Sequence, residues 1–138
     1  MSGITLKIGD SVSFSKTIGE SDVYLFAGIT GDFSMGHVNE EYMKNTPYGH
    51  RIAHGALSIG FASTASTLMS DKTNMRTVSY GYDRIRFVKA IFIGDTITVK
   101  YTINEVNQDD LKTFSNIEII NQHGEICTVA QHILKYFE

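Results

Sequence analysis

Between His54 and Met69 the chain reads HGALSIGFASTASTLM, a run of helical length with no Asp, Glu, Lys or Arg in it. A helix without a charged face is buried on nearly every side. The small residues along it (Gly55, Ala56, Gly60, Ala62, Ser63 and Ala65) let surrounding backbone come close. The run therefore reads as a central helix, and the rest of the chain has to supply a shell for it.

Shell material stands on both sides of the run. Ser11 to Ile18 places Val12, Phe14 and Ile18 on one side, the pattern of a strand. Ser21 resembles a helix N-cap, with Asp22 favourably placed in the first turn of a helix that ends near Gly28 to Gly31. A short helical turn is expected around Glu40 to Lys44, and Pro47 opens an irregular stretch. After Met75 the pattern turns to strands: Val78 to Val88, Thr96 to Val106, Leu111 to Asn121 and Glu125 to Phe137. Ile97, Val99, Tyr101 and Ile103 alternate as in a half-buried antiparallel strand. Short connections favour pairing between sequential strands. One strand, helices, then four strands predict an α+β domain whose antiparallel sheet wraps the central helix. That is the composition of a hot-dog fold, although periodicity does not fix strand order.

With 138 residues and no linker, repeat or low-complexity segment, residues 1–138 read as one domain. A formal net charge of −3 argues against a general nucleic-acid binder, which carries a basic excess. Cys127 is the only cysteine, so an intramolecular disulfide and a cysteine zinc cluster are both excluded, and its apolar neighbours mark it as a buried strand residue. The N-terminus lacks the apolar core of a signal peptide, and no run approaches the roughly 20 apolar residues of a membrane span. A cytoplasmic protein without a membrane partner is expected.

Two places carry chemistry. In Thr30-Gly31-Asp32-Phe33-Ser34-Met35-Gly36-His37 an acid and a histidine stand five residues apart, an offset that points them away from each other in a helix or a strand. A loop bent at Gly31 and Gly36 would let Asp32 and His37 converge as an acid–base pair. No third ligand lies at a recognisable spacing, so no metal is expected. The second place is Ala53-His54-Gly55-Ala56, at the start of the central helix. The first N–H groups of a helix lack internal partners, and Gly55 leaves its own open to a ligand carbonyl, a candidate oxyanion site. Packing of helix against sheet would also account for a glycine there. His54 reads as orienting the helix entry, and His50, His123 and His132 as loop or strand residues. Arg84, Arg86 and Lys89 form a basic group on a strand and its exit.

The segment FAGITGDFSMGH (Phe26 to His37), followed by Ile52-Ala53-His54-Gly55, resembles the hydratase motif of the MaoC-like dehydratases, most closely the (R)-specific enoyl-CoA hydratases. Phe87 to Asp95 resembles the family's strand and turn after the helix, so the likeness spans nearly the whole chain. It implies that Asp32 and His37 hold and activate a water, and that the Gly55 N–H binds the thioester oxygen. It also places Ser63 near the active site as a supporting polar contact. The family's Asn-Pro between acid and histidine is Ser34-Met35 here, where Ser34 still offers a hydrogen-bonding side chain. The proline usually found three positions before the His-Gly pair is Arg51.

The implied activity is hydration of a trans-2-enoyl-CoA to the (R)-3-hydroxyacyl-CoA, and the reverse dehydration, with no cofactor beyond the coenzyme A of the substrate. Arg84, Arg86 and Lys89 would then meet the phosphates of that coenzyme A. Two alternatives use the same thioesters: a hot-dog thioesterase, whose water attacks the carbonyl carbon, and a non-catalytic acyl-thioester binding module. The long apolar helix, open sheet edges and the resemblance together imply a homodimer.

Overall fold

In the computed structural model, which describes residues 3–138, the elements run β1 (Ser11–Thr17), α1 (Glu20–Thr30), α2 (Met35–Val38), α3 (Glu40–Met43) and α4 (Gly55–Ser70). Then follow β2 (Arg76–Phe87), β3 (Thr96–Asn107), β4 (Lys112–Ile120) and β5 (Ile126–Phe137). The five strands form one antiparallel sheet in the order β1-β3-β4-β5-β2. It curls around α4 as a hot-dog fold.

The alternation of β3 does what its side chains dictate: Ile97, Val99, Tyr101 and Ile103 all turn inward and are buried. They meet Ile117 and Ile119 of β4, Leu134 and Tyr136 of β5, and Leu57, Ala62, Ala65 and Met69 of α4. Full burial of each large aliphatic side chain is worth about 1.5–3 kcal/mol. Cys127 lies in this core.

Three expectations are corrected. β2 does not pair with its sequence neighbour β3; it lies at the far edge of the sheet against β5. The connection after it crosses the end of the sheet, tied by the Val88 and Lys89 amides to the Cys127 carbonyl. The Ile91 carbonyl then takes the Ala53 N–H at 2.7 Å, and Phe92 bridges to Ile52. This detour, not a hairpin, builds one wall of the site. Second, α1 begins two residues early. Gly19 is its N-cap, and its N–H donates to the Asp22 carboxylate at 2.8 Å, so Ser21 lies inside the helix. Third, α4 is not covered on every side: Ala56, Gly60, Ser63, Thr64, Thr67 and Leu68 form an exposed stripe.

The core also encloses a histidine. His132 of β5 is fully buried, with Nδ1 2.7 Å from the Tyr101 hydroxyl and Nε2 2.7 Å from the Ser79 hydroxyl. Burial pushes its pKa down to about 4.

Candidate active site

The acid and the histidine do converge, by a bend different in detail from the one expected. Gly31 closes α1 in the left-handed region (φ 83°), its N–H bonded to the Ala27 carbonyl at 2.8 Å. A side chain there would be strained, and this residue turns the chain out of the helix. Gly36 needs no such freedom, because it lies within α2, the short helix that carries His37. Between the two, the Asp32 amide donates to Thr30 Oγ1 (3.2 Å), and the Ser34 amide donates to the Asp32 carboxylate (3.2 Å). Asp32 itself is exposed and His37 half-buried.

His37 Nδ1 lies 2.7 Å from the Ile52 carbonyl oxygen. A carbonyl only accepts, so Nδ1 carries the proton and, in the neutral ring, Nε2 presents a lone pair. The Ile52 amide in turn donates to the Gly36 carbonyl at 3.0 Å. The helix bearing His37 and the segment leading into α4 are thus laced together.

His54 has more to do than orient the helix entry. It is 3% exposed, and its Nε2 donates to the Asp32 carbonyl at 2.9 Å. Its ring stacks on His37 with centroids 3.8 Å apart and planes 26° from parallel, and meets Phe26 edge-on at 4.9 Å. With the proton on Nε2, the buried Nδ1 has no hydrogen-bond partner among the described residues. One side chain therefore backs both members of the pair. Nothing in the sequence pattern signals this, because Asp32 and His54 are brought together by the fold alone.

Polar atoms of Asp32, His37 and His54 lie within 4.8 Å of one another, a spacing that invites comparison with a metal site. The stacking argues against a shared ion. Imidazole lone pairs lie in the ring planes, and two nearly parallel rings do not aim them at one point.

Gly55 is the first residue of α4, where the N–H has no intrahelical acceptor and the helix dipole favours negative charge. A Cβ placed on it would stand 2.9 to 3.0 Å from three carbons of the Phe87 ring. The glycine thus sits directly under that ring. Both border a cleft of about 530 Å³, with His37, His54, Tyr48 and Phe92 among its walls. The size suits a small-molecule site. Sequence reading did not pick out Tyr48, Phe87 and Phe92 as lining residues, since the edge position of β2 and the crossing after it place two of them.

The remaining predicted residues are dispersed. Lys89 borders the cleft, but its ammonium pairs with Glu125 at 3.4 Å. Arg84 and Arg86 are exposed on the edge strand away from the cleft lining. Ser34 contributes its amide to Asp32, while its hydroxyl does not cap α2. Ser63 lies on the exposed stripe of α4, eight residues and so about 12 Å along the axis from Gly55.

A carboxylate and a histidine close together, with the histidine lining a cleft beside a free helix N-terminus in a hot-dog fold, are the kind of groups that hydro-lyase chemistry uses. The MaoC like domain model matches residues 5–123. The chain belongs to that family. It is 41% identical over 98 residues to the (R)-specific enoyl-CoA hydratase of Rhodospirillum rubrum, an alignment covering 71% of this chain and 66% of the relative. Against the (R)-specific enoyl-CoA hydratase of Aeromonas caviae the identity is 24% over 135 residues, 98% of each protein. The unliganded R-hydratase of Pseudomonas aeruginosa superposes with a TM-score of 0.84 at 26% identity, covering 96% of this chain and 83% of that one.

Proposed function

We propose that this chain is an (R)-specific enoyl-CoA hydratase in which Asp32 and His37 activate one water and the Gly55 N–H receives the thioester oxygen. The enzyme adds water across a trans-2-enoyl-CoA to give the (R)-3-hydroxyacyl-CoA, and reverses the same reaction as a dehydratase. The observation that carries the roles is the spacing of the pair. Two hydrogen bonds of about 2.8 Å from one tetrahedral water span about 4.5 Å, and a carboxylate oxygen of Asp32 and a ring nitrogen of His37 lie within 4.8 Å of each other.

With the proton of His37 committed to the Ile52 carbonyl, Nε2 and the Asp32 carboxylate both act as acceptors. A water that donates to both turns a lone pair outward, toward Cβ. As the O–Cβ bond forms, one water proton passes to the pair and the carbon–carbon π electrons move toward the thioester oxygen. The Gly55 N–H at the helix terminus meets that developing charge. The proton then returns from the pair to Cα on the same face, and the carbonyl re-forms. Hydrogen and hydroxyl are added with no change in redox state and no need of a cofactor. Positioned acid–base groups contribute about 10²–10⁴-fold, and one oxyanion donor about 10²–10³-fold.

The enzyme works in the cytoplasm as a homodimer. The exposed stripe of α4 and the open edge of β2, with Val78, Tyr80 and Phe87 exposed along it, support pairing with a second copy. Among the described residues no helix is long and apolar enough to cross a membrane.

Purified protein mixed with crotonyl-CoA should remove the enoyl absorbance, and chiral analysis should return the (R)-alcohol. Release of free coenzyme A thiol without an alcohol product would instead assign a thioesterase, and the (S)-alcohol would overturn the stereochemistry.

A further inference from the structure

The segment leading into α4 has no regular structure, yet three successive amides in it are anchored. Arg51 N–H donates to Glu40 Oε1 (3.1 Å), Ile52 N–H to the Gly36 carbonyl (3.0 Å) and Ala53 N–H to the Ile91 carbonyl (2.7 Å). The Arg51 side chain binds a wider set. Its Nε donates to the same Glu40 oxygen at 3.3 Å, its Nη2 to Glu20 at 2.8 Å and its Nη1 to the Tyr24 hydroxyl. It is only 17% exposed, and the guanidinium lies 5.8 Å from the Tyr24 ring centre.

These partners are placed with consequence. Glu20 and Tyr24 belong to α1, whose end at Gly31 delivers Asp32. Glu40 opens α3, three residues after His37, and its second oxygen takes His50 Nδ1 at 2.8 Å. The residue after Arg51 is Ile52, whose carbonyl holds the His37 proton. One planar fork thus ties the helix before Asp32 and the helix after His37 to the segment whose Ile52 carbonyl holds the His37 proton. An isolated exposed ion pair contributes little to stability. A guanidinium that ties α1 and α3 to the segment carrying it acts instead by fixing their relative placement.

We propose that Arg51 is a positioning residue: by clamping Glu40, Glu20 and Tyr24 it sets the Ile52 carbonyl, and through it the tautomer and aim of His37. This rests on the proposed role of His37, but it can be read without turnover. In protein labelled with ¹⁵N-histidine, the His37 signal, identified by its loss in His37→Gln, should report one tautomer protonated at Nδ1. In Arg51→Ala it should move toward a mixture of tautomers. Turnover of crotonyl-CoA should fall about 10- to 100-fold in kcat, as expected for a misplacement of up to ~1 Å, with KM altered less than about threefold. Arg51→Lys should not restore either property, because an ammonium cannot serve three partners in one plane.

A folded Arg51→Ala that keeps the wild-type His37 signal would overturn the proposal. So would a loss of kcat that disappears at temperatures where the variant is fully folded, since that is the mark of a purely structural role. If wild-type protein fails to hydrate crotonyl-CoA, the function assigned above falls, while the tautomer comparison still decides the clamp.

Discussion

Replacing Gly55 with alanine separates two reasons for a glycine at the head of α4. In a helix every Cα–Cβ bond leans toward the N-terminus, so a Cβ at residue 55 leans into the space that its own free N–H faces. The Phe87 ring lies 2.9 to 3.0 Å from the position of that added carbon. Carbon pairs settle at about 3.5–4.0 Å, so the ring must retreat by roughly 0.5–1 Å. Phe87 is 56% exposed and free to move. Overpacking of about 1 kcal/mol is then offset by about 0.5–1 kcal/mol of helix propensity gained over glycine, and global stability should hardly change. Activity should respond differently. If the amide receives the thioester oxygen, the methyl group blocks that approach, and kcat/KM on crotonyl-CoA should fall about 10²-fold, equivalent to about 2.7 kcal/mol. The decisive control is Gly55→Ala combined with Phe87→Ala, which removes the clashing ring and leaves the methyl over the amide. We expect melting temperature to respond to the second substitution and activity to stay low. Full recovery of kcat/KM in the double variant, measured against Phe87→Ala alone, would show that Gly55 serves only to seat the ring, and would refute the oxyanion assignment.

Asp32→Asn and His37→Ala should each reduce hydration by at least about 10²-fold while preserving the circular dichroism spectrum. Because the pair acts on one water, the double variant should be little worse than the poorer single; additive losses would mean that the two groups act separately. Stability should fall on the acid side because of His132, whose folded pKa is pushed down to about 4. The unfolded histidine titrates near 6.5, so the unfolded chain takes the proton first: the stabilisation is full above about pH 6.5 and is lost as pH falls toward about 4. Between about pH 7.5 and pH 5 this amounts to about 2 kcal/mol in urea unfolding, a slope that His132→Gln should flatten; parallel slopes in the two proteins would rule it out. Sedimentation at micromolar concentration should give a species of twice the 15.4 kDa chain mass, and a pure monomer would remove the dimer from the account.

The sequence conveyed most where one local rule sufficed. Alternation in β3 and the uncharged run of α4 need no partner to be recognised, and both elements fall within a residue or so of where the pattern puts them. It conveyed least where distant residues decide. The place of β2 beyond β5 depends on a crossing that the Cys127 carbonyl anchors, and no periodicity in Val88 to Asp95 encodes that. The site shows the same division. Asp32, His37 and Gly55 could be named from residue type, spacing and resemblance, because the chemistry restricts what can stand there. The residues that aim them could not. His54 reaches Asp32 across 22 positions, and Arg51 reaches Glu20 across 31. Arg51 stands where the sequence first showed only a missing proline. A proline restrains a loop through its own ring, a property visible in one letter, whereas a guanidinium does so through partners that only the fold supplies. Loop rigidity in this chain is therefore carried by contacts. The entry to α4 should be sensitive to substitutions in α1 and α3 that never touch the cleft.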